Sequence, residues 1–345
     1  MIKKITFAED SLNFTEINNF YRDYNNLLQK IKFNDFSNDY HSTLNREINK
    51  ALVRTVVRYD SNFNGNFTDK IKEKIVSKFG ESSKKYYITD YPYLLLHLPK
   101  DTYEEGRFHT DIAFNTGHSI TCWIPINNYE IDYSPLTIYL NSQNKFNLYT
   151  LKILSKISQK LFEFYANIFF KKISIKAKPN KIFFWKDSTI HKGNLNNKEL
   201  IHSAVTFKIT EKKNPVESSN IIKTKRNENF KQHFDKNEIL IHLNKIKIFV
   251  DNNIENKINQ KRFIDNMLLK LDIKKNNSHF NKLLGFATGI IAQRLAFSKF
   301  KKATSLFSLI SLSYIKYSDD EIYLKNSFCF LHLNKTIINL KELIG

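Results

Sequence analysis

Three side chains in this sequence have the types and spacing of a metal site. The run Arg107-Phe-His-Thr-Asp places His109 and Asp111 two residues apart. On an extended backbone, residues i and i+2 point to the same side, so an imidazole and a carboxylate there converge on one point. A second histidine, His191, stands much later, in Trp185-Lys-Asp-Ser-Thr-Ile-His-Lys-Gly-Asn. Two neutral imidazoles and one carboxylate on one face of an ion form the 2-His-1-carboxylate set, which suits Fe(II) and leaves positions open for substrate or oxygen. Taken alone, a His-x-Asp pair is by default a turn whose carboxylate caps a backbone N–H while the imidazole faces solvent. The surrounding elements decide between these readings.

From Tyr91 the chain turns to short β-branched or aromatic runs bounded by Pro, Gly, Asn and Asp: Tyr91-Pro-Tyr-Leu-Leu-Leu-His-Leu, Ser119-Ile-Thr-Cys-Trp-Ile-Pro-Ile, Pro135-Leu-Thr-Ile-Tyr-Leu and Lys181-Ile-Phe-Phe-Trp. Such runs predict strands. The clearest is Leu200 to Thr210, where Ile201, Val205, Phe207 and Ile209 alternate with His202, Ala204, Thr206 and Lys208. One face of that strand packs and the other lines something more polar. Leu148 to Lys172 predicts an amphipathic helix carrying Leu151, Leu154, Ile157, Leu161, Phe164 and Ile168 on its stripe. Several short strands with one helical insertion suggest a β-barrel or a double-sheet jelly roll, which closes or protects its edges. In that setting His109 and Asp111 follow one strand and His191 falls between two, which raises the metal reading above the turn.

At these residues the sequence resembles the iron(II)- and 2-oxoglutarate-dependent dioxygenases of the phytanoyl-CoA dioxygenase type. The resemblance rests on the His-x-Asp…His pattern, on Thr116-Gly-His-Ser followed by Cys122-Trp-Ile-Pro-Ile, and on Lys178-Pro-Asn-Lys-Ile-Phe-Phe-Trp…His191-Lys-Gly-Asn…Asn197. It covers roughly residues 91 to 210 and says nothing of the C-terminal helices. It implies a double-stranded β-helix, His109, Asp111 and His191 as the Fe(II) ligands, and 2-oxoglutarate as a cosubstrate whose decarboxylation to succinate generates the oxidant at the metal.

One position departs from the family. The Arg that pairs with the distal carboxylate of 2-oxoglutarate stands about eleven residues after the second His, and here that position is His202. A guanidinium grips a carboxylate bidentately and a neutral imidazole cannot. Lys208 shares the strand parity of His202 and offers a point charge. The resemblance therefore leaves three readings: His202 and Lys208 hold the cosubstrate, another base such as Arg107 or Lys192 does so, or 2-oxoglutarate chemistry has been lost. An intact triad favours an active oxygenase. His118 is a substrate contact or a loop histidine without a role, Trp123 and Trp185 read as core, and Asn194 and Asn197 shape the turn after His191.

Composition sets the remaining bounds. With 345 residues, 41% hydrophobic content, 29 Phe and 17 Tyr, the chain can bury a core, which excludes global disorder. A net charge of +20 raises nucleic acid or an anionic membrane as partners. The cations are mostly Lys, however, and Asn and Ile abound, the profile an AT-rich genome produces, so a solvated lysine surface accounts for the charge. Cys122 and Cys329 lack metal-knuckle spacing and read as buried, reduced thiols. Acids interrupt the N-terminal ten residues before an apolar signal run forms, and no stretch reaches the roughly 18 uncharged residues of a membrane span. These features predict a cytoplasmic protein.

The expected organisation is α+β. Residues 1–90 form a helical N-terminal part of the core domain, 91–211 the double-stranded β-helix (jelly-roll) oxygenase core, 212–235 a Lys- and Asn-rich linker, and 236–345 a helical domain. The small and large residues from Leu283 to Ile310 resemble tetratricopeptide-type repeats, with a plain helical bundle as the other reading. The expected function is hydroxylation, or a related two-electron oxidation, of a small organic substrate by Fe(II), oxygen and 2-oxoglutarate. The resemblance adds surface-sugar or secondary-metabolite pathways as the setting. The C-terminal helices offer a surface for a protein partner. Two other readings share the sequence: a nucleic-acid-directed oxygenase using the positive charge, and a non-catalytic jelly roll that supports the helices as an interaction scaffold.

Overall fold

The computed structural model describes residues 7–31, 33, 37, 39–89, 91–99, 109–111, 119–126, 134–142, 150, 153–154, 157–194, 196, 200–211, 218–220, 235–254, 260–273, 277–318 and 328–335. The chain divides into two compact units, Met1–Gln29 with Ser61–Lys231, and Lys30–Asp60 with Gln232–Gly345.

The first unit begins with strand β1 (Phe7–Ser11) and helix α1 (Thr15–Lys30). After α2 (Tyr40–Tyr59), which belongs to the second unit, come α3 (Ser61–Phe79), β2 (Tyr87–Thr89), β3 (Tyr93–His97), β4 (Ser119–Pro125), β5 (Leu136–Tyr139), α4 (Gln159–Phe169), β6 (Lys172–Ile175), β7 (Lys181–Lys186), β8 (His191–Gly193), β9 (His202–Thr210) and β10 (Ser218–Asn220). Two antiparallel sheets result. The larger runs β1-β7-β4-β9-β2-β10, with β3 also on β9, and the smaller runs β6-β5-β8. Neither closes on itself among the described residues. A mixed fold of helices and antiparallel sheet matches the α+β expectation.

The alternation read in β9 separates two faces, but the face expected to be polar is packed at His202 and Ala204 and polar only towards Lys208. Ala204 joins Trp123, Phe183 and Trp185 from the large sheet and Leu136, Ile138 and Ile175 from the small one in a single cluster between the sheets. The opposite face of the large sheet is covered by helices. Phe207 meets Phe67 of α3 at a ring distance of 6.2 Å, Phe67 stacks on Phe20 of α1 at 4.1 Å, and Phe184 meets Phe79 edge-on at 5.3 Å. The Tyr24 hydroxyl donates to Ser203 Oγ at 2.6 Å, so these two buried hydroxyls satisfy each other.

Three expectations shift. The helix expected over 148–172 is, in its continuous described part, α4. Ser158 before it is extended (φ −161°, ψ 130°), and the chain leaves through β6. Its stripe also faces the other way, since Phe162, Ala166 and Phe170 pack on Tyr139 and Ile190 while Ile157, Leu161, Phe164 and Ile168 are exposed. Within the expected linker, Ser218–Asn220 pairs with β2.

The second unit holds α2, α5 (Lys236–Asp251), α6 (Gln260–Lys270), α7 (Ser278–Phe297), α8 (Lys301–Lys316) and α9 (Phe328–Lys335). Residues 30–60 thus group with the C-terminal helices and not with the other N-terminal residues. The reason is visible on α2, which is apolar at Leu44, Ile48, Ala51, Leu52 and Val56 and places Tyr59 edge-on against Phe286 of α7 at 5.2 Å. Asp39 caps α2 by accepting from Ser42 N at 3.0 Å. Helices α7 and α8 approach at small residues: Ser311 Oγ donates to Gly285 O at 2.7 Å. No helix among the described residues is long and apolar enough to cross a membrane. Both cysteines are buried and unpaired.

Candidate metal centre

His191 opens β8, where Ile138 of β5 stands opposite it. Its other neighbour is His109, and the two residues exchange both backbone hydrogen bonds, each 3.0 Å long, as an isolated antiparallel bridge. Such a pair sets the two side chains on one side of the bridge, and the imidazole rings lie 4.2 Å apart. Asp111 N donates to Asp187 O at 2.8 Å. The segment 109–111 is therefore extended and hydrogen-bonded at both ends to the stretch that delivers His191. This is the physical reason that a His-x-Asp pair meets a distant histidine here.

The three side chains form a cluster suited to a metal ion, with one ligand atom from each lying within 4.8 Å of the others. His109 Nε2 is 3.7 Å from Asp111 Oδ1, and His191 Nε2 is 3.6 Å from Asp111 Oδ2. His191 Nδ1 lies 3.0 Å from the carbonyl of Thr189. A carbonyl only accepts, so Nδ1 carries the proton and the Nε2 lone pair points at the cluster, the arrangement that fixes the tautomer of a metal-binding histidine. Burial drives the His191 pKa down to about 4 against the pull of Asp111, so the ring is a neutral ligand at neutral pH. Burial works against ionisation of Asp111, yet the His191 and Lys208 side chains hold its carboxyl well below the usual range. The site is graded in access: the His191 side chain is 6% exposed and that of His109 47%. The exposed member of the cluster is His109.

Beneath the cluster lies a second polar layer, in which Lys208 was expected while Thr121 and Asp187 were missed by sequence reasoning. Lys208 Nζ donates to Asp111 Oδ2 at 2.5 Å and to Asp187 Oδ1 at 3.3 Å, and it also meets Thr121 Oγ1. Thr121 Oγ1 is 2.9 Å from Asp111 Oδ2 and 2.8 Å from Asp187 Oδ1. The β4–β9 register sets Thr121 directly opposite Lys208. Asp187, whose side chain is 4% exposed, has its pKa raised, by burial first, with Lys208 opposing. Two carboxylates thus face one ammonium and two imidazoles, and the excess negative charge suits a divalent cation. Asp187 stands four residues before His191 on the same stretch, a spacing that is the one signal for it in the sequence.

The other expected site residues separate. Lys208 reaches the cluster. His202, with the same parity, begins β9 and lies roughly 20 Å along the strand from Lys208 at about 3.3 Å per residue, fully buried and opposite His97. Lys192 follows His191 on β8 and points to the opposite face. Asn194 ties the turn after β8, its Nδ2 donating to Ser134 O at 2.6 Å, as expected of it. Trp123 and Trp185 are core, also as expected, and the Trp185 ring lies 5.3 Å from His191. Arg107, His118 and Asn197 lie outside the described residues.

No protein-family model matches the chain, and no curated protein does. Solved structures similar to it include the non-heme alpha-ketoglutarate-dependent epimerase SnoN from nogalamycin biosynthesis, at 12% identity and a TM-score of 0.38, covering 60% of this chain and 78% of that one. The carbocyclase SnoK of the same biosynthesis gives 12% and 0.38 over 60% and 80%. A nickel complex of the non-heme monooxygenase ThoJ gives 10% and 0.36 over 59% and 73%. At these values the likeness establishes neither a shared activity nor a shared ligand.

Proposed function

We propose that this chain is a non-haem Fe(II)- and 2-oxoglutarate-dependent oxygenase of the phytanoyl-CoA dioxygenase-like type, its two sheets forming a double-stranded β-helix. The observation that carries the proposal is the convergence of His109, Asp111 and His191, with the His191 tautomer set by Thr189 O so that Nε2 faces the other two. Two imidazoles and one carboxylate are the ligand set that Fe(II) oxygenases use, whereas structural zinc favours sites closed by four protein ligands.

Bound Fe(II) with 2-oxoglutarate and oxygen supplies the oxidising power, the keto acid leaving as succinate and carbon dioxide. The protein's own part is positioning. His109, Asp111 and His191 hold the ion. Lys208 and Thr121 orient the Asp111 carboxylate, and Trp185, Trp123 and Phe183 keep the inner side of the site dry. In this reading the Lys208 ammonium is, among the described residues, the nearest cation for a cosubstrate carboxylate and has to be shared with Asp111 and Asp187. His202 is assigned to the deep end of the same strand face. The substrate is a small organic molecule entering from the His109 side and hydroxylated, or otherwise oxidised by two electrons, in a surface-sugar or secondary-metabolite pathway of the cytoplasm. The helical 236–345 region is assigned to protein interaction.

An anaerobic titration with Fe(II) and then 2-oxoglutarate tests the proposal. A weak visible charge-transfer band is expected, and it should vanish in His191→Ala. Iron binding without the band leaves a metal site and removes 2-oxoglutarate. No iron binding removes the oxygenase.

A further inference from the structure

Helix α4 has two apolar faces, and the protein uses one. Phe162, Ala166 and Phe170 are buried against Tyr139 and Ile190. On the opposite side Leu161, Phe164 and Ile168 fall within about 60° of arc at about 100° per residue, and Ile157 stands just before the N-cap. All four are exposed, Ile157 by 67% and Phe164 by 65%, and Phe169 is exposed beside them. Six of the eleven large hydrophobic residues exposed among the described residues lie between Ile153 and Phe169. Scattered apolar residues on a surface need no explanation, but a contiguous stripe marks something that covers it.

Charge identifies the occupant. Between Ile153 and Lys178 the sequence carries Lys156, Lys160, Lys171, Lys172, Lys176 and Lys178 against one acid, Glu163. The whole chain has 54 basic and 34 acidic residues, so the bias is local and not a reflection of composition. Lys160 flanks the stripe on the helix, and Lys171, Lys172 and Lys176 are exposed on and beside edge strand β6. A second copy of this chain seated on the stripe would bring two lysine rims together. An apolar helix stripe with Lys160 beside it and further lysines on the adjoining edge strand suits a surface that is apolar beneath a negative layer, as an anionic bilayer is.

We propose that α4 is an interfacial helix that docks this protein on anionic phospholipid membranes, with Leu161, Phe164 and Ile168 inserted at acyl-chain level and the lysines at the headgroups. Because Ile190, the neighbour of His191, lies beneath α4, the docked face belongs to the sheet that carries a metal ligand. The docking itself does not depend on the metal.

The test is co-sedimentation of the full chain with vesicles of phosphatidylglycerol and phosphatidylcholine, against vesicles of phosphatidylcholine alone. Expected are binding to the anionic vesicles only, a steep fall between about 0.05 and 0.5 M salt, and at least about tenfold weaker binding in Phe164→Asp. Since Phe164 is exposed, the variant keeps its fold, which circular dichroism checks. A Phe164→Trp variant gives a second readout, a blue shift of the added emission on anionic vesicles. Absence of binding, full binding by Phe164→Asp, or no blue shift would each overturn the proposal. So would a dimer that Phe164→Asp dissolves in a protein indifferent to vesicles, which would assign the stripe to a second copy.

Discussion

Replacing Lys208 by Met removes the one ammonium that faces Asp111 and Asp187 among the described contacts. The two carboxylates are 19% and 4% exposed, and Thr121 Oγ1 holds both within 2.9 Å, so they cannot move apart freely. At 2.5 and 3.3 Å and an effective dielectric of about 20, each charge pair is worth about 5–7 kcal/mol before desolvation. Removing one partner of a buried pair costs about 3–5 kcal/mol, because the other charge is left uncompensated. Asp187 limits the loss, since burial already raises its pKa and removing Lys208 raises it further. The expected cost is therefore about 3 kcal/mol near neutral pH. Its pH dependence has a definite sign. An acid whose pKa is raised in the folded state loses stability as pH rises from its unfolded value towards its folded one, so the deficit of Lys208→Met should be larger at pH 8 than at pH 5. The assay is urea unfolding of the metal-free protein followed by tryptophan fluorescence. The chain has two tryptophans, Trp123 and Trp185, both between the sheets of the first unit, so this signal reports that unit alone. Adding Asp187→Asn to Lys208→Met should restore at least about half of the loss. The same variant should bind Mn(II) at least about tenfold more tightly, a gain of about 1.4 kcal/mol, because the ion no longer competes with an ammonium for Asp111 Oδ2. A wild-type unfolding midpoint, or a deficit that Asp187→Asn leaves untouched, refutes the reasoning.

Four further outcomes are expected. Either His109→Ala or His191→Ala should abolish Fe(II) binding measured anaerobically, the second more completely because His191 is the buried ligand. Phe207→Ala opens a cavity between the large sheet and α3, and chemical denaturation should show a loss of about 3–5 kcal/mol in the first unit. A Cβ at Gly285 would sit 2.7 Å from Ile315 Cγ1 and 3.4 Å from Ser311 O, so Gly285→Val should lower stability by about 3 kcal/mol, read by circular dichroism on the helical signal. Asp10 is held down to about 2 by Lys78 and Lys74 although burial opposes this. Its contribution is complete above the ordinary carboxylate value and lost as pH falls through about 2, so Asp10→Asn should cost about 1 kcal/mol at pH 7 after screening, with the gap to wild type closing between about pH 4 and 2.

Much of the site is legible in the residues themselves. The i, i+2 spacing of His109 and Asp111 puts two ligands on one side of an extended segment, and the alternation in Leu200 to Thr210 separates Phe207, which packs on α3, from Lys208, which enters the site. Local chain geometry decides both, and local geometry is what side-chain period reports. The β-branched and aromatic runs place the strands and His191 between two of them, whereas the two residues expected to share a cosubstrate separate, since His202 lies far along β9 from Lys208.

What spacing alone does not determine is which of two equivalent faces turns inward and which distant groups meet. Helix α4 shows the first: Leu161, Phe164 and Ile168 repeat as regularly as a core stripe, yet Phe162, Ala166 and Phe170 are the residues that find Tyr139 and Ile190. A period identifies an apolar face, and only the neighbouring sheet selects between two of them. The grouping of α2 with the C-terminal helices has the same origin, because its partner Phe286 lies far away in sequence. The polar layer of Lys208, Thr121 and Asp187 shows the second. Its members come from three separate stretches, and the strand register that sets Thr121 opposite Lys208, with the turn that brings Asp187 under Asp111, is a property of the folded sheets. Residue types and local spacing determine the metal chemistry available to this chain, while tertiary pairing decides the charge that surrounds it, because electrostatic partners are chosen by distance in space.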